Sequence, residues 1–118
     1  LSKYFNIKIM DTFTAIAEPT RRHILEMLSA RGNMPATDIY RGFRSSPPAI
    51  SQHLKVLREA KLVRVEKRAQ QRIYYLNPEP MRELEKWIKQ FAARMEERFT
   101  ALDEVLEMEK AKLQTEKK

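Results

Sequence analysis

The chain has 118 residues, the size of one domain, and its 23 basic and 16 acidic side chains give a formal charge of +7. It contains no cysteine, which excludes disulfides, thiolate metal sites and cysteine nucleophiles, and two glycines are too few for a glycine-rich phosphate loop. No apolar run approaches the roughly 20 residues of a membrane span. The lack of cysteine fits a reducing compartment, so we expect a cytoplasmic protein that makes no contact with a membrane.

The positive charge is concentrated in the first two thirds of the chain. Residues 1–60 hold nine basic and five acidic side chains, and residues 61–76 hold five basic and one acidic. Residues 77–118 hold nine basic and ten acidic side chains and are nearly neutral. Positive charge gathered in one part of a domain is typical of a polyanion binder. The pattern therefore predicts that residues 1–76 face nucleic acid and that the last third has another task.

Four helices are predicted in the first 60 residues. Residues 1–10 are expected to be an N-terminal extension before a natural start at Met10, either non-native or poorly ordered. Asp11 or Thr12 can then cap a short helix that Pro19 interrupts. Apolar spacing predicts further helices over residues 19–30, 35–43 and 47–60, the first ended by Gly32 in a left-handed conformation.

The sequence pattern changes after residue 60. Residues 62–67 and 72–76 alternate with period two, which predicts two strands joined by a basic tip at residues 68–71. From residue 79 to about 113, apolar residues recur at spacings of three and four, which predicts one long helix with a frayed end. The predicted fold is mainly α with a small β-hairpin wing, a winged helix-turn-helix with long terminal dimerisation helices. Residues 11–78 form its DNA-binding domain and residues 79–118 its dimerisation helix.

The fourth helix and the hairpin tip carry the candidate DNA contacts. Glutamine can bind adenine through two hydrogen bonds, serine adapts as donor or acceptor, and lysine can meet guanine or phosphate. An ordinary solvated helix face and an exposed turn are the alternatives, but the order of helix and basic hairpin favours DNA. The predicted DNA-binding residues are Ser46, Pro47, Pro48, Ser51, Gln52, His53, Lys55, Lys67, Arg68, Gln70, Gln71 and Arg72.

The two histidines and two neighbouring arginines need separate treatment. His53 either donates to a phosphate or is packed and hydrogen-bonded between helices, whereas His23 is predicted to be structural. Arg21 and Arg22 either contact the phosphate backbone or cap carbonyls and pair with nearby glutamates. No nucleophile and base lie at a spacing that would bring them together, so we predict no enzyme, no metal site and no cofactor.

The terminal helix is too long to bury its apolar row on an 80-residue domain, so we expect it to pair with a second copy of the chain. A wall for a ligand pocket is the alternative. The predicted dimerisation residues are Phe13, Ile16, Met81, Leu84, Ile88, Phe91, Met95 and Phe99.

Several runs of sequence resemble the ArsR-type winged helix-turn-helix repressors of bacteria and archaea. The runs are AEPTRRHIL over residues 17–25, SQHLKVLREA over residues 51–60 and the pair at residues 62–63, within a resemblance that covers roughly residues 11–88. The Ser-Gln-His-Leu-Lys-x-Leu-Arg segment is the most specific of these. The resemblance implies a homodimeric repressor that binds a palindromic operator and often regulates its own gene.

The chain departs from that family pattern at four positions. Metal-sensing members carry two cysteines on the third helix, where this chain has Pro35 and Thr37, so the resemblance points to a non-metal branch. Lys61 replaces the usual glycine after the recognition helix, and Gln70 replaces the usual glycine of the wing tip. Both replacements predict backbone strain if φ is positive there.

The sequence thus predicts a dimeric, DNA-binding repressor that needs no metal. Two alternatives are a winged helix that docks acidic protein partners and a regulator that holds a small effector at the terminal-helix interface.

Overall fold

The computed structural model describes residues 2–116, with side-chain surroundings from residue 7 onward. Its contacts divide the chain into one unit that ends at Leu84 and another that starts at Glu85. In chain order the elements are α1 (Ser2–Ile16), α2 (Pro19–Arg31), β1 (Met34–Pro35), α3 (Ala36–Arg41), α4 (Pro47–Glu59), β2 (Val63–Arg68), β3 (Gln71–Leu76) and α5 (Glu79–Glu116).

The three strands form one antiparallel sheet in the order β1-β3-β2. β2 and β3 are a hairpin in which Arg68 lies opposite Gln71, so the turn is Ala69-Gln70 alone. The mainly α fold with a small hairpin wing is confirmed. The sequence did not indicate β1, which pairs with Tyr74 and Ile73, because two residues are too few to show a strand period.

The inner face of α4 lies at the centre of the hydrophobic core. Ile50, Leu54 and Leu57 are at most 1% exposed, and α4 packs against α2 and β2. Burial of each such side chain is worth about 2 kcal/mol relative to exposure, so this face fixes which side of α4 points outward. The rest of the core is Ala15, Ile24, Met27, Leu28, Met34, Ile39, Leu62, Val63 and Tyr74.

Helix α1 is longer than predicted. It begins at Ser2, so residues 2–10 belong to the helix and the expected cap at Asp11 or Thr12 is wrong. Ile9 is buried and Thr12 is 2% exposed, with the Thr12 hydroxyl donating to the Lys8 carbonyl oxygen at 3.1 Å. Tertiary burial of these side chains stabilises a helix that local sequence alone does not mark. Residue 1 of the expected extension lies outside the described residues.

The other helices begin and end close to the predicted positions. Ser46 is the N-cap of α4, its hydroxyl accepting from the Ala49 backbone N–H at 3.4 Å, and Pro47 is the first helical residue. Helix α5 continues to Glu116, so most of the end that was expected to fray lies outside the described residues. None of the helices described between residues 2 and 116 is both long and apolar enough to cross a membrane.

Three residues of the described chain adopt a positive φ. Gly32 ends α2 with φ 81°, but its ψ of −155° lies outside the left-handed helical region, so the end of the helix is as predicted and the left-handed conformation is wrong. Lys61, at φ 62°, is the expected strained position after α4. In the wing tip the strained residue is Ala69, at φ 55°, and not Gln70; Ala69 is the first of the two residues of the hairpin turn.

Replacement of Lys61 by glycine is expected to stabilise the fold by about 1 kcal/mol, since glycine adopts positive φ without a Cβ clash. The measurement is the free energy of unfolding in urea. Lys61→Ala is the matched control, because it removes the same charge but keeps the Cβ. A Lys61→Gly protein no more stable than Lys61→Ala would contradict the assignment of strain.

Candidate nucleic-acid interface

Helix α4 has a buried apolar face and an exposed polar face. The residues predicted to contact DNA are exposed along the helix and at its N-terminal turn. They are Ser46, Pro47, Pro48, Ser51, Gln52 and Lys55. The first-turn backbone N–H groups of a helix favour anionic partners, and the exposed side chains offer both donors and acceptors. This face therefore has the chemistry needed to bind phosphates and base edges.

His53 is held between helices. Its side chain is 26% exposed, and its Nδ1 lies 3.3 Å from Nη1 of Arg21 and 3.7 Å from Oε2 of Glu18. Arginine only donates hydrogen bonds, so Nδ1 accepts from Arg21, which places the imidazole proton on Nε2. A hydrogen bond from His53 to Glu18 would require a proton on Nδ1, and that proton would face the Arg21 guanidinium. The contact with Arg21 is therefore the stronger of the two. Of the two alternatives for His53, the geometry supports the packed, hydrogen-bonded histidine.

Glu18 caps the start of α2. Its carboxylate accepts from the Arg21 backbone N–H at 3.1 Å. Loss of surrounding water is the largest single influence and raises the pKa of Glu18, but the hydrogen bond from the Arg21 backbone N–H, the nearby His53 and hydrogen bonds with Thr20 together outweigh it and hold that pKa below its ordinary value. Glu18 is therefore an ionised cap beside His53.

Arg21 and Arg22 both bind carbonyl oxygens at the end of α1. Arg21 donates from Nε to Ala15 at 2.7 Å and from Nη2 to Thr14 at 3.0 Å. Arg22 donates from Nη1 to the carbonyls of Ile16 and Ala17, at 2.8 and 3.1 Å. These bonds satisfy carbonyls that a helix end leaves without partners, so the capping alternative describes both arginines.

The other histidine, His23, packs against an aromatic ring. The His23 ring meets the Phe43 ring edge-on, with 5.1 Å between the centroids. This packing agrees with a structural role. Among residues 2–116, no three histidine or carboxylate side chains lie close enough together to hold a metal ion.

The hairpin tip is exposed and rich in cations. The predicted wing residues are all exposed, and they are Lys67, Arg68, Gln70, Gln71 and Arg72. Arg68 contacts Glu66 at 3.3 Å, but both side chains are more than half exposed, so the pair contributes little. The tip therefore keeps most of its positive charge available to an anion.

Two of the wing cations lie directly opposite each other. Lys67 pairs with Arg72 across the β2–β3 ladder. Like charges at directly opposed positions destabilise a hairpin, and an anion beside them relieves the repulsion. The predicted strands end at Lys67 and resume at Arg72, so this pairing is the one expected for a hairpin closed by residues 68–71.

The predicted dimerisation residues of the first unit differ in exposure. Phe13 and Met81 are 39% and 43% exposed, whereas Ile16 is half-buried against the core. Leu84 is only 3% exposed within a single chain. Leu84 therefore has almost no surface to offer a second copy, and its prediction as a dimer contact is replaced by a place in the interior of this unit.

The second unit exposes a row of large apolar side chains. The four predicted residues are each 43–58% exposed, and they are Ile88, Phe91, Met95 and Phe99. Leu102, Leu106 and Leu113 continue the row at about half exposure, and the Trp87 ring stacks on Phe91 with 5.3 Å between centroids. Apolar side chains in a continuous exposed row are uncommon in monomers and typical of interfaces.

A helix-turn-helix formed by α3 and α4, followed by a basic antiparallel hairpin, defines a winged helix-turn-helix DNA-binding protein. A helix-turn-helix domain family matches residues 16–66. The transcriptional repressor SdpR of Bacillus subtilis is 37% identical over 81 residues, which are 69% of this chain and 89% of that protein. The chain belongs to the ArsR family of winged helix-turn-helix repressors, and it is a DNA-binding transcriptional regulator.

Solved structures share this fold. The crystal structure of an ArsR family transcriptional regulator has a TM-score of 0.72 at 26% identity and covers 77% of this chain and 93% of its own. An ArsR-like transcriptional regulator from Rhodococcus sp. RHA1 has a TM-score of 0.76 over 89% of this chain and 96% of its own. At 22% identity, that second match concerns the fold alone.

Lys67→Gln is expected to stabilise the hairpin slightly and to weaken binding to any duplex DNA. The first effect follows from removal of the like-charge pair, and the second from loss of a phosphate contact, which lowers the salt slope of log K by about 1. Fluorescence anisotropy titrations at several salt concentrations measure the slope. Lys86→Gln on α5 is the control for loss of one charge, and equal slopes for both variants would argue against a phosphate contact at Lys67.

Proposed function

We propose that the protein is a homodimeric repressor that binds a palindromic operator without a metal cofactor and acts in the cytoplasm, where it catalyses no reaction. Residues 11–78 carry DNA binding and residues 79–118 carry dimerisation in this proposal. It represses transcription by blocking access of the polymerase to DNA. One of its operators lies upstream of its own gene. The Bacillus subtilis relative is a repressor, which supports repression over activation.

The observation that carries the proposal is that α4 has a buried apolar face and, on its opposite side, an exposed polar face. Ile50, Leu54 and Leu57 are fully packed, so Ser51, Gln52 and Lys55 are held on a rigid helix and exposed. A helix of this kind fits the B-DNA major groove, where glutamine and lysine distinguish base pairs. The wing cations supply the phosphate contacts that fix register and orientation.

A two-fold axis gives the dimer two recognition helices. In a winged-helix dimer these helices enter successive major grooves about one helical turn apart, which requires two half-sites related by an inverted repeat. The operator is therefore expected to be a palindrome with half-site centres about 10 base pairs apart.

Selection of binding sites from random duplexes, followed by footprinting upstream of the gene, tests the operator. Recovery of one palindrome supports the proposal, whereas equal weak affinity for all duplexes favours a winged helix that docks acidic protein partners. The same titration with zinc and with a chelator tests metal independence, and a tenfold change in operator affinity would refute it.

Gln52→Ala is expected to weaken operator binding by roughly 1–3 kcal/mol and to relax base preference at one position of each half-site. Binding-site selection with the variant measures both effects. Gln90→Ala on α5 is the matched control, since it removes the same side chain from an exposed helix position outside the recognition helix. Unchanged base preference for Gln52→Ala would contradict a direct base contact.

Dimerisation is assigned to the apolar row of the second unit. Side chains at residues 88, 91, 95 and 99 follow the three- and four-residue spacing of a helix that pairs with another helix. Their exposure in the single chain leaves a large apolar area that a second copy would remove from water. The nearly neutral charge of residues 77–118 lowers repulsion between two copies.

Met95→Glu is expected to weaken the dimer at least tenfold, because a carboxylate would be buried at the centre of the row without a partner. Analytical ultracentrifugation over a range of concentrations measures the dissociation constant. Ala93→Glu places the same charge on the opposite side of the helix and should leave the dimer intact. Equal weakening by the two variants would show that charge, and not burial at Met95, is responsible.

A further inference from the structure

We infer that Arg21 is a positioning residue for the recognition helix and acts through His53 to set the rotation of α4 about its own axis. The inference rests on the proposed role of α4 in reading the operator. Neither residue needs to touch DNA for the effect. Three hydrogen bonds of the Arg21 guanidinium group connect the end of α1 to α4.

The Arg21 guanidinium joins two helices that are distant in sequence. Its Nε and Nη2 are fixed on the carbonyls of Ala15 and Thr14, at 2.7 and 3.0 Å, and its Nη1 donates to Nδ1 of His53 at 3.3 Å. A guanidinium is planar and rigid, so two bonds to α1 fix the directions of its remaining N–H groups, including the one on Nη1 that meets His53. The end of α1 therefore determines where the His53 ring lies.

Apolar burial alone leaves the rotation of α4 loosely determined. Ile50, Leu54 and Leu57 hold the helix against the core, but the hydrophobic effect has no directional preference. A rotation of about 10° moves an outward side-chain tip by about 1 Å at a radius of 5–6 Å. Base contacts tolerate only a few tenths of an ångström around 2.9 Å, so a directional bond at His53 affects its neighbour Gln52.

Arg22 provides a natural comparison. It carries the same charge, is adjacent in sequence and also caps the end of α1, through Ile16 and Ala17. Its hydrogen bonds in the described structure go to those two carbonyls, and none goes to α4. Replacement of either arginine removes one cation and caps of α1, but only replacement of Arg21 removes the contact with His53.

The first test compares Arg21→Gln with Arg22→Gln on the operator recovered with the wild-type protein and on a scrambled duplex. We expect Arg21→Gln to lose about tenfold in operator affinity beyond the loss of Arg22→Gln, with similar affinities of the two variants for the scrambled duplex. A loss shared equally by both variants would mean that α1 capping or charge is responsible and would overturn the inference.

Variants of His53 separate positioning from direct contact and leave the caps of α1 intact, so they remain informative if Arg21→Gln does not fold. Asparagine can place an acceptor near the position of Nδ1, whereas glutamine reaches the position of Nε2. We expect His53→Leu to lose about tenfold in operator affinity and His53→Asn to recover most of it. Recovery by His53→Gln but not by His53→Asn would assign His53 to a phosphate contact through Nε2 and would overturn the inference.

The double variant Arg21→Gln/His53→Leu completes the cycle. Because both changes break one bond, its operator affinity should lie within about twofold of the weaker single variant. Losses that multiply to about a hundredfold would show that the two residues act independently. If the wild-type protein itself prefers no duplex, the proposed function fails and the positioning role fails with it; if only the arginine and histidine variants deviate from expectation, the proposed function stands.

Discussion

The packing of the inner face of α4 is the constraint on which the rest of the structure depends. Ile50, Leu54 and Leu57 are completely enclosed, between α2 on one side and β2 on the other. A helix interface that dense does not accept a polar residue inward or an apolar residue outward without a large cost. The side of α4 on which Gln52 and its exposed neighbours lie is therefore a consequence of core formation, whereas the exact rotation of the helix needs a directional contact.

The hydrogen bonds around Arg21 add direction to that packing. Hydrophobic burial determines which face of a helix is inside, whereas hydrogen bonds have preferred distances and angles. The guanidinium of Arg21 satisfies α1 carbonyls and the His53 ring together, and Glu18 caps α2 beside it. The ends of α1 and α2 and the middle of α4 thus meet in one polar cluster at the edge of the core.

The wing has a different physical character. Its tip is exposed, carries opposed cations at Lys67 and Arg72, and contains a residue in a strained conformation at Ala69. The opposed cations and the strained residue each cost stability in the isolated chain. In the proposed complex, phosphates next to the cations remove part of that cost, which is consistent with a hairpin shaped for an anionic partner.

Local sequence signals were sufficient to predict an element where the residues involved have few allowed conformations. Ser46 followed by Pro47 predicted the start of α4, and the period-two segments predicted both strands of the hairpin, because proline restricts φ and alternation defines a half-buried strand. Prediction failed for the first part of α1, residues 2–10, and for β1. Residues 2–10 are helical through burial of residues such as Ile9, and β1 is too short for any period to be visible.

The residues of the candidate site also divide into those that the sequence predicted and those that it did not. Exposed positions on α4 and in the wing followed from helical and strand periodicity, and the row on the second unit followed from its spacing. The position of His53 did not, since one sequence fits both a phosphate contact and an interhelical hydrogen bond. Leu84 was placed in the dimer row by the same spacing, but burial within one chain removes it.

The sequence by itself determined the fold class, the family and the polar face of the recognition helix, because these depend on periodicity, capping residues and contiguous motifs. Tertiary structure alone decided that Arg21 meets His53 and that Leu84 is interior. Both follow from contacts between segments that are distant along the chain. Such distances depend on the packing of whole elements, which no local pattern of residues specifies.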